Sequence, residues 1–271
     1  MNDAEQDRPR VCNGKTHLIL VCCHATYIGG KPYDETSWVL QPFQQSDQAT
    51  GKSGEHHTFI SHIEAGAALL RHDPDSVLMF SGGKTQDLLR RTEAESYSQV
   101  FIKMHMWQRI EDYGSDVDKA RMLRTIRERH ATDSYQNLLF SIAKFRKLAG
   151  QYPKTITVIT HAFKERRFLE LHAKAIKWPT NRIRVLGINP PFTQSELRET
   201  ERGEQERGFG AFQQDMFGVR SPLADKRKAR NWDPAVLWSV GEGLEDNVKD
   251  LLVWDGGKTG HEIFPGKLPW E

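Results

Sequence analysis

Residues 17–23 read HLILVCC, apolar throughout after the opening histidine. An unbroken apolar run of this length, with no in-out alternation, is the mark of a parallel strand covered on both faces. Similar runs follow at residues 76–80 (SVLMF), 155–160 (TITVIT) and 182–188 (RIRVLGI). Between them, apolar residues recur at helical spacing. Phe59, Ile63, Ala67 and Leu70 mark a helix over 56–71, stopped by Asp73-Pro74-Asp75. Leu138, Ile142, Phe145 and Leu148 mark another over 133–148, closed by Gly150 and Pro153. Helices are also expected over 92–106, 108–127 and 164–176, with a short helix and loop in 31–54. Strands alternating with helices predict an α/β fold with a Rossmann-like, doubly wound, mainly parallel sheet.

Pro190-Pro191 ends this rhythm, and residues 191–271 read as a charged C-terminal extension packed on the same domain. Residues 196–207 suit an exposed helix, with Phe209, Phe212, Met216 and Phe217 returning the chain to the core, and 234–254 an irregular helix. Residues 1–15 are expected to be a disordered polar leader, leaving 16–190 as the α/β domain. Composition adds mainly exclusions. A formal charge of +2 across 271 residues, with no arginine-rich tract, gives no basis for a nucleic-acid partner. Cys22 and Cys23 adjoin in a buried strand and Cys12 lies apart in the leader, which is no disulfide framework. No segment approaches the ~18 apolar residues of a membrane span. The polar first ten residues also lack the apolar core of a signal peptide. A cytoplasmic protein with no membrane partner is therefore expected. Nothing in the residues sets the oligomeric state.

Four polar clusters sit at junctions between these elements: Ser81-Gly82-Gly83, Thr92 to Glu95, residues 128–137, and residues 159–168. Open α/β sheets bind ligands at the carboxyl ends of their strands, so one shared pocket is expected. Gly82 and Gly83 suit either an anion-binding concavity of backbone N–H groups or a plain tight turn. Thr92 and Glu95 form a capping-box pattern, and Glu93 suits either the helix start or a general base. Ser134 and Asn137 share the first turns of a helix. Lys164, Arg166 and Arg167 crowd a helix start, where the macrodipole disfavours each cation by ~0.3–1 kcal/mol, which suits either a pocket for an anionic ligand or a solvated basic surface. Arg167 is expected to be surface-accessible, contributing to the ligand and little to stability. His24 ends a strand beside the pocket and suits an acid/base group or a hydrogen-bonded structural histidine. His56 and His57 adjoin, and His62 and Glu64 read as helix surface, so no metal site is expected. The phosphate-loop, dinucleotide and serine-hydrolase glycine motifs are all missing.

This arrangement resembles the domain-of-unknown-function 218 family, the YdcF-like proteins that include the SanA and ElyC types. There an apolar strand precedes Ser-Gly-Gly, then Ser/Thr-Glu-Ala, then Glu-x-x-Ser/Ala-x-Asn/Asp-Thr/Ser-x-x-Asn, then Val-Thr-Ser-x-Tyr/Phe-His-x-x-Arg. Here Ser81-Gly82-Gly83 is followed by Thr92-Glu93-Ala94, by Glu128, Ala131, Asp133, Ser134 and Asn137, and by Ile159-Thr160-His161 with Phe163, Lys164 and Arg167. The likeness covers roughly residues 16–190 and is closest to a eukaryotic, fungal-type branch. Lys164 replaces the family histidine, and His161 offers an imidazole at another height. The resemblance implies a Rossmann-like fold with a pocket, and it keeps S-adenosylmethionine as a candidate cofactor. The resulting expectation is a small-molecule enzyme, a hydrolase or transferase acting on a phosphate-containing or nucleotide-like substrate. Glu93, Ser81 and His161 would be catalytic. Gly82, Gly83, Asn137, Ser134, Thr160, Lys164, Arg167 and His24 would bind the substrate. The alternative is a protein that binds a nucleotide or S-adenosylmethionine without turnover.

Overall fold

The computed structural model describes residues 8–86 and 89–271. Its strands, in chain order, are β1 (His17–Cys22), β2 (Thr26–Tyr27), β3 (Trp38–Val39), β4 (Ser76–Ser81), β5 (Thr125–Glu128), β6 (Thr155–Thr160) and β7 (Ile183–Gly187). Five of them form one parallel sheet in the order β5-β4-β1-β6-β7, while β2 and β3 pair antiparallel beside it. The helices used below are α1 (Arg8–Cys12), α2 (His56–His72), α3 (Glu93–Lys103), α4 (Asp116–Leu123), α5 (Ser134–Ala149), α6 (Ala173–Ala175), α7 (Gln194–Glu204), α8 (Gly210–Gln214) and α9 (Leu223–Ala229).

The unbroken apolar run of β1 is explained by its two covered faces. Leu18, Leu20 and Cys22 join the core that contains Leu138, Ile142 and Phe145 of α5. Ile19 and Val21 join the opposite core, with Phe59 and Ile63 of α2 and Tyr97 of α3. This is the Rossmann-like, doubly wound arrangement. From β1 the chain builds β4 and β5 to one side, then returns to build β6 and β7 on the other. The direction of winding reverses between β1 and β6, and the crevice at their carboxyl ends is where such sheets hold ligands.

Local signals act as their chemistry predicts at two helix ends. Thr92 and Glu95 form a reciprocal capping box at α3, the Thr92 hydroxyl accepting from Glu95 N–H and the Glu95 carboxylate from Thr92 N–H. Gly150 closes α5 in the left-handed region at φ 73°.

Other expectations need correction. Residues 108–127 are not one helix: α4 ends at Leu123, and a fifth strand, β5, follows after one residue. Four residues that include an arginine and a glutamate are too short and too polar for the apolar-run signal. Within 31–54 there are only single 3-10 turns, Glu35–Ser37 and Pro42–Gln44, beside the β2–β3 ribbon. The helix expected over 164–176 is a 3-10 turn, a wide π turn at Arg167–His172, and α6. Of the expected leader, residues 1–7 lie outside the described residues. Arg8–Cys12 is helical, and Cys12 is fully buried in the α5 core.

The extension shares that core through Phe209, Phe212, Met216, Phe217, Leu223 and Trp270. Among the described residues, no helix is long and apolar enough to cross a membrane.

Candidate functional site

A cleft of about 940 Å³ opens at the carboxyl ends of β1 and β6, walled on its far side by the C-terminal extension. His24, Glu93, Ser134, Asn137, Thr160, His161, Lys164 and Arg167 all line it. Ser81, Gly82 and Gly83 do not, for a definite reason. Ser81 is fully buried, and its hydroxyl lies 2.6 Å from Glu128 Oε2 and 2.9 Å from Asn137 Oδ1. It holds Asn137 in place from behind the cleft wall. The Gly82 and Gly83 N–H groups donate to the Glu128 and Ala131 carbonyls, so the expected backbone anion cradle is already occupied by protein. The glycines serve close packing instead: a Cβ on Gly82 would fall 2.8 Å from Glu93 Oε2 and 2.9 Å from Cys23 Cβ. Glu128 is likewise a scaffold residue, its carboxylate accepting from Ser81, His130 N–H and Ala131 N–H.

The β6 end supplies the charge. Lys164 Nζ lies 3.4 Å from His24 Nδ1, and His24 Nε2 lies 3.2 Å from Thr160 Oγ1. An ammonium can only donate, so Nδ1 of His24 accepts, Nε2 carries the proton, and Thr160 accepts it. The His24 contact therefore does not use the Thr160 hydroxyl hydrogen. Burial, and then the neighbouring Arg167 charge, lower Lys164 from 10.5 to about 8. Arg167 Nε sits 3.2 Å from Glu204 Oε1 of α7, both side chains 11% exposed, yet neither atom makes a well-formed hydrogen bond among the described residues. Arg166 stands apart. It pairs with Glu170 on the surface, and its guanidinium lies over the Phe209 ring.

Three imidazoles meet behind Lys164. The His24 and His161 ring centres are 4.5 Å apart, and His62 lies 5.8 Å from the first and 5.1 Å from the second. His62 is not helix surface as its sequence context suggests. It is fully buried and contacts the Ile188 carbonyl through Nε2 at 2.9 Å. His161 is 3% exposed, neither of its ring nitrogens has a hydrogen-bond partner among the described residues, and Glu55 lies 3.6 Å away. Burial, followed by the Lys164 charge, pushes His24 and His161 well below the ordinary histidine range. Both are therefore neutral at pH 7. No three His, Cys, Asp or Glu side chains among the described residues are grouped to hold a metal ion. Cys22 also lines the cleft, but burial raises its thiol to about 12, so it carries no thiolate nucleophile.

Glu93 is the carboxylate best suited to chemistry. It is 9% exposed, accepts a 2.5 Å hydrogen bond from Thr85 Oγ1, and makes no ion pair among the described residues. Burial raises its pKa. Ser134 Oγ lies 2.8 Å from His172 Nε2 at the cleft edge, and Asp133 caps α5 while pairing with Arg227 at 2.6 Å. Sequence reasoning missed Glu55, His62 and the extension's Glu204, Lys226 and Arg230. No spacing rule links them to the strand ends, since tertiary packing alone brings them there.

No family model matches the chain, and no solved structure matches it. It is similar to the uncharacterized protein YOR238W of Saccharomyces cerevisiae, at 26% identity over 304 aligned residues covering 94% of this chain and 97% of that protein. A match of that extent takes in the α/β domain and most of the extension.

Proposed function

We propose that the cleft binds a small anionic molecule bearing a phosphate or nucleotide-like group, and that its chemistry is hydrolysis or group transfer. The observation that carries this reading is the pair Lys164 and Arg167 at the carboxyl end of β6, answered among the described residues by one ion-paired carboxylate, Glu204. Two cations held at a sheet switch point suit an oxyanion ligand. Glu93, buried and with a raised pKa, suits a general base that takes the proton of the attacking water or hydroxyl. Thr160 and Asn137 orient the substrate, and neutral His161 exchanges a proton with it. The arrangement of Glu93, Asn137, Thr160 and Arg167 around one cleft supports membership of the YdcF-like family, and a cytoplasmic location belongs to the same reading. Binding of a nucleotide or S-adenosylmethionine without turnover is the second reading, favoured by the Gly82 and Gly83 amides being bonded to protein.

Thermal shifts with inorganic phosphate, nucleotides and sugar phosphates test the anion site. A true ligand at about 100 times its Kd adds about 2.7 kcal/mol of stability. The effect depends on pH through Lys164, which falls from 10.5 to about 8 on folding. Above about 8 the folded protein has released a proton that the unfolded chain still holds, so ligand-free stability from this group rises from there towards 10.5. Anion affinity moves the other way, because the ammonium is lost. The ligand-induced shift is expected to be large at pH 7 and to shrink by pH 9. Absence of any shift at pH 7 across the whole panel defeats the reading.

A further inference from the structure

We propose that the C-terminal extension builds a second anion subsite in this cleft, so that the preferred ligand is an oligophosphate, either free or as the phosphate chain of a nucleoside di- or triphosphate. This rests on the phosphate reading of the Lys164–Arg167 site and adds a length requirement to it.

The second subsite is made by residues outside the four strand-end clusters. Lys226 and Arg230, on and just after α9, line the same cleft as Lys164 and Arg167. Lys226 Nζ donates to the Arg207 carbonyl at 2.8 Å, which anchors it on the wide turn that follows α7. Arg230 Nη1 donates to the Thr132 carbonyl at 2.7 Å, which anchors its guanidinium beside the start of α5. Both bonds go to neutral acceptors, and among the described residues neither Lys226, Arg230 nor Lys164 makes an ion pair. Asp133, the carboxylate at the α5 start, is already neutralised by Arg227 at 2.6 Å.

Lys164, Arg167, Lys226 and Arg230 thus share one cleft, which Glu55, Glu93 and Glu204 also line, and of these four cations only Arg167 is ion-paired, to Glu204. The Arg230, Arg167 and Arg207 charges all act to lower Lys226, after burial itself, so these cations sense one another. Like charges gathered in this way are unfavourable in the empty protein, and a multiply charged anion relieves them. The α5 N-terminus, with Ser134 on the cleft wall, adds the positive end of a 16-residue helix dipole. Arg167 and His161 both line this space, and Arg167 Nε and the two His161 ring nitrogens make no hydrogen bond among the described residues. One phosphate suffices for Lys164 and Arg167. The volume of about 940 Å³ and the second cation pair call for a longer chain. Glu93 lines the same cleft, and one cation of each pair, Arg230 and Lys164, acts on its carboxylate.

Calorimetric titration of the full chain with phosphate, pyrophosphate and tripolyphosphate, and with adenosine mono-, di- and triphosphate, tests this. Pyrophosphate is expected to bind about 10–100-fold tighter than phosphate, as one or two added charge-assisted contacts imply. The Lys226→Gln/Arg230→Gln variant should reduce that ratio to near one while holding phosphate affinity within about twofold. The wild-type protein provides a check that does not depend on the variant folding: pyrophosphate affinity should fall more steeply with salt than phosphate affinity. Adenosine diphosphate binding tighter than pyrophosphate identifies a nucleotide ligand, and equal affinities identify the free chain, either outcome agreeing with the proposal. Equal affinity for phosphate and pyrophosphate, or an unchanged ratio in the variant, overturns the second subsite and leaves the first intact. Failure of every phosphate compound to bind removes the underlying anion reading as well.

Discussion

Glu93→Gln is expected to keep ligand binding and to lose turnover by about 10²–10⁴, the usual contribution of a positioned general base. The amide keeps the size of the side chain and an oxygen that accepts from Thr85 Oγ1, now at 2.5 Å from the carboxylate. It lacks only the ability to take a proton. The fold should not suffer, because the Thr92–Glu95 capping box holds the start of α3 without it. A buried carboxylate whose pKa is raised by desolvation is itself costly to keep charged, so stability is expected to be unchanged or slightly higher. Release of product from the phosphate compound that gives the largest thermal shift measures turnover, and the shift itself measures binding. Turnover at the parent level would make Glu93 a helix-start residue and move the search for the base to His161 or His24.

Arg167→Ala is expected to abolish the anion-induced thermal shift and also to destabilise the protein. Sequence alone suggests a surface arginine with little role in folding, and the structure corrects this. The Arg167 and Glu204 side chains are each 11% exposed, and they lie 3.2 Å apart between β6 and the extension. Removing the arginine takes away the ion-pair partner of a buried carboxylate, a change that costs up to about 3 kcal/mol, tempered by the Lys164 and Lys226 charges and by proton uptake at Glu204. Burial already raises the Glu204 pKa, so that escape is available and the loss should be smaller at pH 5 than at pH 8. Adding Glu204→Gln to Arg167→Ala should recover much of the melting temperature without recovering anion binding. Equal ligand responses in the parent and Arg167→Ala would take Arg167 out of the site.

The legible and illegible parts of this protein divide along sequence distance. Residues 17–23 announce a doubly covered strand because every side chain there must be apolar, and the sheet class follows from it. The strand-end clusters were legible for the same reason, since polar residues directly after an apolar run end up at the carboxyl edge. Strand β5 was not, because an edge strand of four residues carrying Arg127 and Glu128 has no pattern longer than its neighbours' noise. Ser81 was placed correctly on its strand end but not in depth. Nothing local tells whether a serine faces a cleft or a buried Glu128. His62 reads as surface because its neighbours Ser61 and Glu64 are polar, although the ring itself points back at His24 and His161. The extension's part in the site rests on contacts between residues far apart in the chain, such as Asp133 with Arg227 and Arg167 with Glu204, which no spacing encodes.

The central claim is that Lys164 and Arg167, at the β1–β6 switch point, form the anion site. A crystal structure of the wild-type protein with inorganic phosphate tests it most directly. The predicted result is a phosphate within about 3.2 Å of Lys164 Nζ and of the Arg167 guanidinium. Glu204 should be displaced from its present 3.2 Å contact. A phosphate bound elsewhere, with Arg167 still held against Glu204, would contradict the account.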